Sequence, residues 1–417
     1  MMASHSLALA PVAAALALFA AFTPAGASLV AVGPEIRVDG GASGFAGCPL
    51  VAGGSNGSFE VTWATREVAP RDSHPLSRHF SWQGLPTEPQ RTLATSSAFP
   101  ADLVGLPGGG YRGLWTTNSV TGSLGIWWTT KLSEFGEPVT PWRRLRTLAY
   151  GSVLSIRPTG GFVAAELHHR QGVILLHLFD ASGRKVGGER RLSTTELESP
   201  RKIGFVHRPD GGFLAFWSGI RHNSDGTGES VLFTRAYSSA GEPVGGENVI
   251  ASVPAEPLGV AGHAGSVLPD GRIAFAWHSD YYGVQTLYLQ ILSPAGVPMA
   301  PPAIVAEGDI EYAGVYLQGV AVNLAGEIAV LWLRETEVCP DSDFQCDHLF
   351  ARVYDGSGAS LGEPVAVDTP AAEPYDKAFC GSLTAAGASF VASWAAVDAD
   401  GSFRYVVFAR RLALTTP

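Results

Sequence analysis

Beyond the apolar N-terminal stretch the chain carries no amphipathic helical pattern longer than a turn or two. That absence points to an all-β fold. Charge is scarce as well. Charged residues make up 16% of the sequence, and 28 Lys and Arg against 38 Asp and Glu leave a net charge of −10. The few basic residues are scattered, which argues against nucleic acid and against an anionic membrane surface as partners. No apolar run after the N-terminal one is long enough to cross a bilayer as a helix. The four cysteines lack paired C-x-x-C spacing, so a metal knot of that kind is not expected. There is no Gly-x-Ser-x-Gly elbow, no His-Glu-x-x-His and no phosphate loop, and no cofactor is expected.

What the chain does contain is a repeat. Seven short apolar runs recur at a near-even interval: Phe59–Trp63, Tyr111–Trp115, Phe162–Leu167, Phe213–Trp217, Ile273–Trp277, Ile328–Trp332 and Phe390–Trp394. Six of them end in tryptophan. A sustained period of this size signals a repeat architecture. A Pro-, Gly- or Asp-rich turn precedes each run, as in Arg208-Pro-Asp-Gly-Gly212 and Leu268-Pro-Asp-Gly271. A loop of variable length follows it, then a strand-like segment and a second turn. Turn residues at fixed offsets, with β-branched and aromatic residues between them, give four short strands per repeat, here A, B, C and D.

The B strands are apolar on both faces: Phe213, Ala215 and Trp217 point one way, Leu214 and Phe216 the other. Both faces must therefore be covered, and a blade packed between two neighbours meets that need. The expected fold is an all-β, seven-bladed β-propeller of four-stranded antiparallel blades. The last repeat stops after strand C, at Phe408–Leu412, while Val32–Val38 reads as a stray D strand. Pairing the two closes the ring and removes its unpaired edges. The unit resembles the W- and G-marked repeats of secreted bacterial propeller proteins over nearly the whole chain. Leu268–Ala276 also resembles the WD40-like repeat of the TolB type. These families are functionally mixed, so the resemblance implies a fold and little about activity. The Ser-x-Asp-x-Gly-x-Thr-Trp box of sialidase propellers is absent.

Residues 1–27 read as an export signal: Leu7–Phe22 is an apolar core and Ala25-Gly-Ala27 a small-residue cleavage site. The positive leading region is missing, with only His5 there, and a buried N-terminal helix is the alternative. Residues 28–417 read as one domain, expected to be a secreted or periplasmic monomer. In such a compartment the four cysteines invite pairing. Cys339 and Cys346 share one B–C loop. Cys48 stands before Trp63 at almost the same offset as Cys380 before Trp394, so the two occupy matching positions in blades the ring makes neighbours. The expected bonds are Cys48–Cys380 and Cys339–Cys346, with free thiols as the alternative.

The A–B and C–D turns are short and stereotyped, while the B–C loops and D–A connections vary widely; compare His168–Gly172 with Arg334–His348. Function is therefore expected on the variable face. An acidic and aromatic set stands there in repeats five to seven: Asp280, Tyr281, Tyr282, Glu311, Tyr312, Tyr316, Glu373, Tyr375 and Asp376. Tyrosine rings stack on sugar or peptide surfaces and carboxylates accept hydrogen bonds from hydroxyls. Ordinary loop packing is the plainer reading of the same residues. A second candidate is Glu166, in a slot that is mostly apolar in the other repeats, followed by His168, His169 and Arg170. A buried carboxylate needs a partner, so a structural ion pair competes there with catalysis or metal ligation. Asp398-Ala-Asp-Gly401 reads as a turn and the tryptophans as core. The leading expectation is a non-enzymatic propeller binding a carbohydrate or a protein. A glycan-cleaving hydrolase or lyase on the same scaffold is the alternative, and two carboxyl groups about 5–10 Å apart across a pocket would mark it.

Overall fold

Both turns of blades one to six are built alike. The first residue's amide donates to the carbonyl of the fifth, and the fourth residue's amide donates back to the first: Asp180 to Arg184 at 2.9 Å and Gly183 to Asp180 at 2.8 Å. The fourth position requires a left-handed backbone, and glycine holds it each time, with φ of +76° at Gly183 and +88° at Gly271. The side chain at the first position often completes the turn. Asp180 Oδ1 accepts from the amides of Ser182 and Arg184 at 2.8 and 3.0 Å. The Ser182 hydroxyl, with those amides, holds the Asp180 carboxyl below its ordinary value.

These turns join strands into seven sheets, and the whole is a seven-bladed β-propeller. The computed structural model describes residues 28–415 except 41–44, 47, 67–72, 95–97, 119–123, 150–151, 169–171, 196, 223–226, 255–258, 282, 310–313, 337–345, 369–374 and 399–404. The expected export signal lies outside the described residues. Blade four is representative: Glu198–His207, Phe213–His222, Gly228–Tyr237 and Pro243–Pro254, from the channel outward. Blade one carries an additional short segment, Phe45–Ala46, beside Leu50–Gly53 on the same partner strand.

Ring closure follows the expectation. Ser28–Arg37 is the outermost strand of blade seven, antiparallel to Tyr405–Thr415, with Leu29 opposite Leu414 and Arg37 opposite Phe408. The Val38 amide continues the ladder to the Val407 carbonyl at 2.8 Å. Leu29 and Val38 are buried.

The core is divided among the seams between blades. One face of the blade-four B strand, with Phe213, Ala215 and Trp217, packs against Val163, Ile174 and Leu176 of blade three. Its other face, with Leu214 and Phe216, packs against Ile273, Phe275 and Trp277 of blade five. Burying one such side chain stabilises the fold by about 1.5–3 kcal/mol. The six marker tryptophans are buried, as expected, but in blade three the hairpin register puts Glu166, not Leu167, at the tryptophan position, opposite Leu175 as Trp217 is opposite Phe233.

Candidate functional site

The A strands of neighbouring blades stand side by side around a central channel. Beside the marker tryptophan most of them carry a β-bulge, one unpaired residue that re-aims the strand. Lys202 is skipped between the pairs Arg201–Ser218 and Ile203–Trp217. Gly262 is skipped between Ala261–His278 and His263–Trp277, Gln318 beside Leu317–Trp332, and Cys380 beside Gly381–Trp394. Lys202 and Cys380 take left-handed φ values of +37° and +36°, a backbone that costs a non-glycine residue energy and clusters at functional sites. Cys48 of blade one is bonded to Cys380, with Cα atoms 5.5 Å apart, as the matched offsets predict. Of the Cys339–Cys346 pair, Cys339 lies outside the described residues.

The channel holds a cavity of about 700 Å³ bounded by the A strands of blades two to six. Its polar groups fall into two sets. Towards the variable face stand Lys202, His263 and Gln318. The His263 ring meets Phe216 edge-on at 4.8 Å, and burial with the nearby Lys202 pushes it down to about 3, so it is neutral. His278 behind it is held at about 4 by burial and Lys202, and meets Tyr316 edge-on at 6.2 Å. Gly262 makes this possible, because a Cβ there would stand 2.2 Å from the His278 ring. The Lys202 amine is itself lowered by desolvation. Gln318 Oε1 accepts from the Gly381 amide at 2.7 Å, tying blade six to blade seven.

Deeper in the channel wall Asp102 Oδ2 accepts from the Ser155 hydroxyl at 3.0 Å and the Ile156 amide at 2.9 Å. Ser155 Oγ also meets His207 Nε2 at 3.0 Å. The serine bridges carboxylate and imidazole, whereas a nucleophilic triad needs the imidazole between the other two. Burial raises Asp102, and burial with Arg157 lowers His207 to about 3. This chain of contacts fastens blades two, three and four.

Several of the expected site residues are placed. Tyr316, on the blade-six A strand, stands beside His278; burial and Glu335 push its phenol up. Asp280 is 4% exposed and accepts from Gln285 Nε2 at 3.4 Å, and Gln285 Oε1 accepts from the Val315 amide at 2.7 Å. That arrangement turns Asp280 inward to anchor blade six. Tyr281 ends the blade-five B strand, and Tyr375 and Asp376 open the blade-seven A strand, so their backbones lie at the variable face. Tyr282, Glu311, Tyr312 and Glu373 lie outside the described residues, as do His169 and Arg170. Glu166 pairs with His177 Nε2 at 3.2 Å, a cross-strand neighbour on the C strand. His168 ends the B strand of that blade.

Sequence reasoning missed Lys202, His263, Asp102 and Ser155. A signal for one of them was present. Lys202 precedes Trp217 at the offset at which Cys48 precedes Trp63. Among the described channel-lining residues Asp102 is the one carboxylate, and no cluster of three His, Cys, Asp or Glu among the described residues could hold a metal.

No protein-family model matches the sequence, and no curated protein does. Solved structures share the fold. The chain is similar to an ulvan lyase of a polysaccharide lyase family, bound to -[GlcA(1-4)Rha3S]-, with a TM-score of 0.51 and 10% identity over 90% of this chain and 95% of that one. It is similar to a Dyadobacter fermentans protein of unknown function, with a TM-score of 0.48 and 9% identity over 93% and 100%. A Penicillium chrysogenum alpha-L-arabinanase complexed with arabinobiose gives 0.45 and 14% over 75% and 92%. At such identities the likeness to the ulvan lyase establishes the propeller fold.

Proposed function

We propose that this propeller is exported and binds a carbohydrate at the channel mouth on its variable face, as a monomer and without cleaving it. The observation that carries this is the make-up of the mouth. Lys202, His263 and Gln318 line it with polar groups, with no second carboxylate among the described channel-lining residues to pair with Asp102. In this reading the tyrosines of the variable loops, Tyr281, Tyr282, Tyr312 and Tyr375, serve as stacking platforms, and Glu311, Glu373 and Asp376 accept from sugar hydroxyls. The Cys48–Cys380 bond suits an oxidising compartment, in line with an export signal in residues 1–27.

One observation favours a second reading. An amine brought towards neutrality beside a neutral imidazole can accept a proton, which suits a glycan lyase. A glycan array combined with product analysis on the retained polysaccharides separates the two. Retention with intact polymer is expected. Release of unsaturated or reducing ends, lost in Lys202→Met, would install the lyase instead. Retention of proteins but no glycan would make the ligand a protein.

A further inference from the structure

The chain has ten tryptophans, and Trp82 is the exposed one, at 57%. It sits in the C–D turn of blade one, on the face opposite the variable loops. The same turn position holds Glu134, Ala181, Ser239, Pro294 and Gly356 in blades two to six, so the turn itself does not ask for an aromatic. Trp82 borders a cleft of about 630 Å³ where blades one, six and seven meet. Two glycines in left-handed backbone conformations line its floor. Gly57 and Gly387 have φ of +82° and +66°, and a Cβ at Gly57 would come within 3.4 Å of Trp82 Cβ.

The cleft walls carry Asn56, Glu327 and Arg411. Asn56 uses Oδ1 to accept from the Ser58 amide at 3.0 Å, which leaves its NH2 group for another partner. Glu327 uses Oε2 to accept from Asn323 Nδ2 at 2.6 Å. Arg411 donates from Nη2 to Ser389 at 3.1 Å, while its Nε is buried without a partner among the described residues. Elsewhere on this face an arginine closes onto the next blade's turn, as Arg157 does onto the Gly211 and Ser239 carbonyls at 2.6 and 2.8 Å. Among the described residues the Arg411 guanidinium makes no such bond to the blade-one turn.

We propose that this cleft is a binding site for a neutral saccharide, with a pyranose ring stacked on Trp82. The C–H face of a sugar matches an exposed indole. Arg411 and Glu327 balance in charge and supply a donor and an acceptor, the pair that hydroxyl groups use in both directions and that an acidic sugar would use only in part. The site lies on the face away from the channel mouth, so it stands independently of the loop-face reading.

The test is tryptophan fluorescence of the full chain titrated with cellohexaose, xylohexaose and mannohexaose. At least one of them should shield Trp82 from acrylamide quenching. Trp82→Ala should remove the shielding and weaken binding by roughly tenfold or more at an unchanged melting temperature, and Trp82→Phe should keep part of the affinity. The double variant Tyr282→Ala/Tyr312→Ala should leave the shielding intact, so failure here and failure at the loop face are told apart. The proposal is overturned if none of the three sugars shields Trp82 or if Trp82→Ala binds as the parent does. It is also overturned if the parent sediments as a dimer that Trp82→Ala converts to monomer, which would make the cleft an interface between copies.

Discussion

The two faces of the ring are made by different rules. On the turn face each hairpin of blades one to six repeats one five-residue geometry, and side chains lace one blade to the next. Arg91 donates to the Phe135 carbonyl at 2.9 Å, Arg208 to that of Pro294 at 3.1 Å, and Asn323 to that of Ala388 at 3.0 Å. On the loop face the connections share neither length nor composition, from His168–Gly172 to Arg334–His348. The difference teaches that the turn face does the work of holding the ring, which leaves the loop-face connections free to vary. The channel joins the two, with Asp102 and His207 tied into the scaffold and Lys202 left at the mouth.

The comparison breaks hardest if the ring's closure is removed. Deleting Ser28–Gly40 strips blade seven of its outer strand and removes the buried Leu29 and Val38, a loss of about 3–6 kcal/mol from those two side chains alone. The melting temperature should fall sharply, and an unchanged value in calorimetry would refute closure by this strand. Replacing Cys48 and Cys380 by alanine comes next. Releasing so long a loop should cost on the order of 4–5 kcal/mol as an upper guide. Denaturant titration of the double variant checks it, and non-reducing peptide mapping should recover the Cys48–Cys380 peptide.

Acid should act on the channel wall before it acts on the loops. His207 and His263 are held at about 3 and His278 at about 4, mainly by burial. The unfolded chain takes up protons at these residues near pH 6.5, and the folded chain does so only far below. Their contribution is therefore complete above about pH 6.5 and is lost progressively as pH falls towards about 3. His348, raised by Asp368, and Asp102, raised by burial, work in the opposite direction. Melting temperature against pH should slope downward below about 6.5, and His207→Asn with His263→Asn should flatten it. A flat profile in the parent would contradict the burial of these rings.

A single turn-face lace should matter less. Arg157→Ala removes the two hydrogen bonds that Nη2 donates and leaves the Gly211 and Ser239 carbonyls without that partner, a cost of about 1–3 kcal/mol. The smallest effect on stability belongs to the loop face. Tyr282→Ala/Tyr312→Ala should shift unfolding by less than about 0.5 kcal/mol while weakening the loop-face ligand roughly tenfold. If the two experiments give equal destabilisation, the division of labour between the faces does not hold.

The fold was legible because its signals are local. Glycine at the fourth turn position, tryptophan at the end of most B-strand runs and a stray strand at one terminus each act through a few neighbouring residues. Cys48 and Cys380 could be paired because the ring converts matched offsets into adjacency. The channel was not legible for the same kind of reason reversed. Lys202, His263 and Asp102 lie on short inner strands whose alternation is broken by the bulges, and their partners come from other blades. Glu166 shows the limit at closer range. Its partner His177 is set by the register of the hairpin, which puts Leu175 directly opposite Glu166 and leaves the histidine diagonal to it.

The bond between Cys48 and Cys380 has a mechanical consequence. A tension applied at Ser28 and Thr415 would first peel Ser28–Arg37 from Tyr405–Thr415, because that ladder holds both points. The force would then arrive at the two cysteines and pass straight through the sulfur bridge. The stretch of chain between the two cysteines would carry none of it. The cysteines make the ring a closed shackle, able to lose its outermost strand to a pull and keep every other blade slack until the bridge is reduced.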